Sequence, residues 1–286
     1  MSKENLNEKI GWGILINTAY AILELIAGFF TGSLALVSDA AHNIVDSLAL
    51  IISYIGERVA KRKANLSHTY GYGKFIILTA LINSGIMVGL ALGIFYIVYR
   101  RFINPSPIDG GPIMIIAALG IVVNLAVAFI LSKNRDNLNI RTAFLNMAFD
   151  VLASVAALAS GFAAHYGFYR ADALAGAVIG TLMIAACVGI INKAVHILLE
   201  GAPENIDPAA IKSSITAFPQ IIEINNFHVW MIAAGQPSLS CRIVINESGQ
   251  NNFFAMVKEI KCMLADKYNI NHTTIEPGLE PIDDEH

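Results

Sequence analysis

The chain has 286 residues and a net charge of −3, with 55% hydrophobic and only 14% charged residues and a mean hydropathy of +0.58. A soluble globular domain carries about 25% charged residues, so this composition argues against an ordinary soluble protein. The absence of a long basic run argues against a nucleic-acid partner. Cys187, Cys241 and Cys262 are too few and too scattered for a disulfide framework or a Cys-Cys zinc finger, and they fit a reducing compartment.

The apolar residues concentrate in the first two-thirds of the chain, which predicts a membrane domain at 1–200 followed by a water-soluble domain at 201–286. The leader MSKENLNEKIG is polar and runs into an apolar stretch without a cleavage signature, unlike a removable signal peptide. Six segments are long enough to cross about 30 Å of hydrocarbon at about 20 residues each. They lie near 10–30, 33–56, 75–99, 112–131, 142–164 and 171–192, and only Thr31 and Gly32 separate the first two. With the amino terminus inside, the inner segments hold Lys3, Lys9, Arg58, Lys61, Arg62, Lys63, Lys74, Lys133, Arg135 and Arg141, and the outer loops hold Arg100, Arg101 and Arg170. That asymmetry predicts both termini in the cytoplasm of a multi-pass protein of the plasma or inner membrane.

After Glu200 the stretch GAPENIDP reads as a linker, with Asp207 as a helix N-cap and Pro208 in the first turn. Beyond it, helical patterning at 209–217 and 250–267 alternates with strand patterning at 221–232, 238–246 and 272–276. Leu239, Cys241, Ile243 and Ile245 alternate with Ser240, Arg242, Val244 and Asn246, as a half-buried strand does. An α-β-β-α-β order in so short a segment predicts a small α+β domain with helices on one sheet face.

The informative residues are polar ones placed where lipid is expected. In the second span Asp39, His42, Asn43 and Asp46 share one helical face; in the fifth, Asn146 and Asp150 lie four residues apart. An ionisable group in mid-span costs at least ~2.5–3.5 kcal/mol, so such groups face a cavity and mark a substrate or proton path. His42, Asp46, Asn146 and Asp150 make a four-ligand metal site if the two helices face each other. Imidazole and carboxylate are ordinary zinc ligands, two carboxylates offset a dication's charge, and His42 can exchange protons near neutral pH. Glu24, Asn83, Asn124 and Asn192 read as interhelical bonds or cavity lining.

These residues resemble the cation diffusion facilitators, membrane exporters of zinc and related divalent metals. The resemblance rests on GSLALVSDAAHNIVDSLAL, HTYGYGK, EGAPENID, NNFHVWMIAAGQPSLSCRIVI and NHTTIEP, in this order along nearly the whole chain. It implies a homodimer in the lipid bilayer with six spans per subunit, a cytoplasmic ferredoxin-like domain, and metal–proton antiport by alternating access, with no enzymatic activity and no cofactor. The family's transport site carries over to His42, Asp46, Asn146 and Asp150. Zinc-selective members usually have His where this chain has Asn146, and an amide oxygen is harder and weaker than imidazole. Zinc stays first because His42 is retained, with cadmium, cobalt, nickel, iron(II) and manganese open.

A second family site reaches only His68, since Tyr72 and Asn65 stand where some members have a His and a carboxylate, so this site is expected to be degraded. A regulatory site in the soluble domain carries over to His228, His272 and Glu276, with Arg242 where many similar sequences have His. Two other readings compete. A membrane enzyme is disfavoured, because no His-Glu-x-x-His pattern or nucleophile elbow occurs. A metal sensor without transport is the alternative, although such a protein would carry an output domain.

Overall fold

The computed structural model describes residues 18–132, 138–247, 249 and 252–278; within these, the side chains of 50, 127, 128 and 130–148 are outside the description. Lys3, Lys9, Lys133, Arg135, the start of the first expected span, and the side chains of Arg141 and Asn146 therefore fall outside the described residues.

Chain contacts divide the protein into two compact units, Met1–Ile52 with Ile82–Ile190, and Ser53–Leu81 with Ile191–His286. The helices in chain order are α1 (Thr18–Thr31), α2 (Leu34–Ala60), α3 (Phe75–Ile103), α4 (Gly110–Ser132), α5 (Leu138–His165) and α6 (Arg170–Leu198). Among the described residues α2, α3 and α6 are long and apolar enough to cross a membrane, and Thr18–Thr31, Gly110–Ala126 and Phe149–His165 are shorter apolar helices. Large apolar side chains such as Phe29, Phe30, Tyr96, Ile115 and Val122 are exposed, the outward surface that hydrocarbon and its interface accept.

The α1–α2 turn is made by Gly32 and Ser33. Gly32 has φ +71°, the left-handed region that glycine enters without strain. The Ser33 hydroxyl accepts from the Leu36 amide at 3.3 Å and so starts α2. Small residues let α4 and α5 approach closely: a Cβ on Gly161 would meet Ile113 Cγ2 at 2.9 Å, and Ala117, Ala153 and Ala157 are buried.

The C-terminal part follows the order read from the sequence: α7 (Pro208–Thr216), β1 (Ile221–Ala233), β2 (Gln236–Ile245), α8 (Phe253–Tyr268) and β3 (His272–Gly278). Asp207 caps α7 by accepting from the Ala209 amide at 2.9 Å, with Pro208 at the first turn. Asn269, at φ 56°, ends α8, and the Ile270 amide reaches back to the Leu264 carbonyl at 3.0 Å. The sheet order is β1-β2-β3, with β1 antiparallel and β3 parallel to β2. The core forms where Leu239, Ile243 and Cys241 of β2 meet Ile211 and Ile215 of α7 and Ile260 and Leu264 of α8, each large side chain contributing roughly 1.5–3 kcal/mol by burial. Burial pushes the Cys241 thiol up to about 11, so it stays a neutral core residue. The expected alternation fails at Val244, which is also buried.

Candidate metal centre in the membrane helices

His42 occupies the centre of the site. Its Nε2 lies 3.8 Å from Asp46 Oδ2, one turn along α2, and 3.7 Å from Asp150 Oδ1 on α5. The ring's other nitrogen, Nδ1, lies 3.4 Å from the Met87 sulfur on α3. A thioether is only an acceptor, so the tautomer that makes this contact carries its proton on Nδ1 and leaves the Nε2 lone pair free for a cation. A buried partner that fixes the tautomer in this way orients a ligating imidazole.

In that tautomer three acceptor atoms converge: His42 Nε2, Asp46 Oδ2 and Asp150 Oδ1. Asp150 is 3% exposed, and its Oδ1 has no hydrogen-bond donor among the described residues. Converging acceptors without a donor repel one another unless a cation sits among them. Tetrahedral zinc at 2.0–2.2 Å from its ligands spaces donors about 3.4 Å apart, slightly closer than the distances here. Consistent with that, among the described residues no three His, Cys, Asp or Glu side chains are already drawn together tightly enough to hold an ion. Asn146 lies one turn before Asp150 on α5, with its side chain outside the described residues. Asn43, on the face of α2 singled out above, is buried with its amide atoms unpartnered among the described residues.

The other expected site residues are spread out. His228 pairs with Ser240, His272 with Ser238 and Glu276 with Arg242, so all three sit on the sheet face opposite the Leu239–Cys241–Ile243 core. Strand spacing and rise put His228 roughly 10–12 Å from each of the other two, Cα to Cα. His228 borders a cleft of about 630 Å³ with Glu200, Phe227 and Trp230, and the His272 ring packs edge-on against Tyr70. His68 stacks on Tyr72 with centroids 4.3 Å apart. Asn65 organises that loop, accepting from the amides of Ser67 and His68 at 3.0 and 2.8 Å and donating to the Tyr72 hydroxyl at 2.9 Å. Lys74 of HTYGYGK pairs with Glu200 of EGAPENID at 2.6 Å, so two separate motifs meet in space.

Sequence reasoning missed Met87 and Asp172. Asp172, 2% exposed in the first turn of α6, accepts from the Ser33 hydroxyl and the Leu34 amide at 2.6 Å each and from the Ala35 amide at 3.2 Å. Arg101 lies 3.5 Å away and also donates to the Gly32 carbonyl. This carboxylate holds the N-terminus of α2, where the helix dipole favours negative charge.

Residues 12–199 match the model of the cation efflux transmembrane domain. The chain is 37% identical to the cadmium, cobalt and zinc/H(+)-K(+) antiporter of Bacillus subtilis, covering 97% of this chain and 91% of that one. It is 33% identical to the metal cation efflux system protein CzcD of Cupriavidus metallidurans (94% and 85% covered) and 27% identical to the zinc transporter ZitB of Escherichia coli (98% and 90%). A solved metal-bound C-terminal domain of the Cupriavidus CzcD transporter aligns with 26% of this chain and all of its own length, at 32% identity and a TM-score of 0.25. With a family model covering well over half of it and relatives above 30% identity along nearly its whole length, the chain belongs to the cation efflux family, the cation diffusion facilitators, and is an integral membrane metal transporter.

Proposed function

We propose that this protein exports a divalent cation, zinc first, from the cytoplasm in exchange for protons, using His42, Asp46, Asn146 and Asp150 as the transport site. The observation that carries the reading is the convergence of His42 Nε2 on Asp46 and Asp150 across α2 and α5. Two carboxylates offset the charge of the dication in a medium of low dielectric, and the same groups accept protons once the ion has left. Facing inward, the site takes up metal with loss of protons; the helices rock outward, and external protons displace the metal. The Bacillus subtilis relative is a cadmium, cobalt and zinc/H(+)-K(+) antiporter by name, which supports a cation-coupled cycle here.

The same reading takes six helices through the plasma or inner membrane, both termini in the cytoplasm, domains at 1–200 and 201–286, a ferredoxin-like soluble domain and a homodimer. His228, His272 and Glu276 are proposed as regulatory metal ligands only through a rearrangement that draws them together, and His68 is left out.

Metal preference tests the ligand set. In everted vesicles of a strain without its own exporters, Asn146→His raises zinc uptake relative to manganese and iron(II), since imidazole is the softer and stronger zinc ligand. An unchanged ranking among zinc, cadmium, cobalt, nickel, iron(II) and manganese removes Asn146 from the site.

A further inference from the structure

Glu24 on α1 and Asp39 on α2 are completely buried carboxyl groups outside the ligand set. Two contacts bracket them along the α1–α2 hairpin. Thr18 Oγ1 lies 3.3 Å from Ser47 Oγ, and a Cβ on Gly28 would meet Val37 Cγ2 at 2.8 Å. Glu24 therefore stands across from the turn that carries Asp39, and the two side chains are within hydrogen-bonding reach of each other.

Each carboxyl has one oxygen satisfied by a hydroxyl. Tyr20, whose OH also lies 3.2 Å from the Ile116 carbonyl, donates to Glu24 Oε1 at 3.2 Å, and Ser154 donates to Asp39 Oδ2 at 3.4 Å. Gly120 on α4 faces both hydroxyls, and a Cβ there would collide with Tyr20 Oη and come within 2.8 Å of Ser154 Oγ. The remaining oxygens, Glu24 Oε2 and Asp39 Oδ1, are enclosed with no donor among the described residues. Two ionised carboxylates facing each other in a water-poor interior leave both of these atoms unpaired, at a cost of several kcal/mol. One proton removes the conflict, because it turns one orphan oxygen into a donor and leaves the other to accept. The other titratable groups that face the pair are Tyr20 on α1, His42 on α2 and Asp150 on α5.

We propose that Glu24 and Asp39 hold one proton between them, forming an oxygen-only counter-ion site one helical turn from His42 and separate from the metal ligands. Its role in transport rests on the exchange reading above: this proton leaves as the metal's charge arrives, and no bond other than O–H is made or broken.

Infrared spectra of the full chain in lipid nanodiscs without metal test the site itself. At neutral pH the carbonyl-stretch band of a protonated carboxylic acid is present in the wild type, lost in Glu24→Gln and Asp39→Asn, and retained in Asp46→Ala. Gln and Asn keep the shape of the replaced side chain, and either variant suffices if the other fails to fold. A band that persists in the folded variants, or that only Asp150→Asn removes, overturns the proposal. Proton release on zinc addition to weakly buffered protein then tests the role: Glu24→Gln releases one proton fewer per zinc, and an unchanged count refutes the exchange role. Absence of metal-coupled transport in the wild type with the band intact sinks the antiport reading and leaves the proton site standing.

Discussion

Asp150→Ala abolishes metal transport, with flux falling by more than about 100-fold, because loss of even an indirect partner of a metal ligand costs about 10–100-fold. The variant also removes one of the two carboxylates that offset the dication, leaving His42, Asp46 and Asn146 to hold an ion whose dehydration they cannot balance. The same substitution leaves the fold intact. Asp150 Oδ1 is buried without a hydrogen-bond donor among the described residues, so in the metal-free protein this carboxylate costs stability and its removal relieves that cost. Zinc titration by calorimetry together with thermal unfolding in detergent reads both effects: binding is lost and the metal-free unfolding midpoint does not fall. Retained binding, or a midpoint that collapses along with binding, contradicts the assignment.

Asp172→Ala gives the opposite result. Its carboxylate accepts from one hydroxyl and two backbone amides and faces Arg101, so its removal takes the acceptor from the first amides of α2 and the counter-charge from Arg101. Leaving buried donors without their acceptor costs about 1–3 kcal/mol each, a large fraction of the stability of any fold. The expected result is a markedly lower apparent unfolding midpoint, with Asp172→Asn between Ala and the wild type because the amide oxygen still accepts from Leu34. Zinc bound to the folded fraction keeps near-wild-type affinity, since Asp172 touches none of the ligands. An unchanged midpoint in Asp172→Ala refutes the clasp. The two aspartates are alike in burial and opposite in the number of donors, and that difference separates a binding carboxylate from a structural one.

Features carried by local spacing were legible in the sequence. His42 and Asp46 are four apart on one helix, so their shared face follows from the helical repeat alone. Asp207 followed by Pro208 announced α7, and the β2 alternation located the core face of the sheet. Features made by long-range packing were not legible. Met87 reads as one more apolar residue in a hydrophobic span, and only the fold brings its sulfur to the His42 ring. Asp172 lies at a helix start, where an acidic residue is ordinary, and its amide partners are 137 and 138 residues away. His228, His272 and Glu276 illustrate the converse limit. Resemblance assigned them to one site, while the ladder register, displaced by a bulge between Asn225 and His228, spreads them along one sheet face.

The most direct test of the account is zinc flux into liposomes holding the purified chain, with an internal metal indicator and an imposed pH gradient, beside Asp150→Asn. The account predicts flux that follows the gradient, reverses when the gradient is reversed, and is absent in the variant. Zinc flux indifferent to the gradient, or equal in wild type and Asp150→Asn, contradicts it.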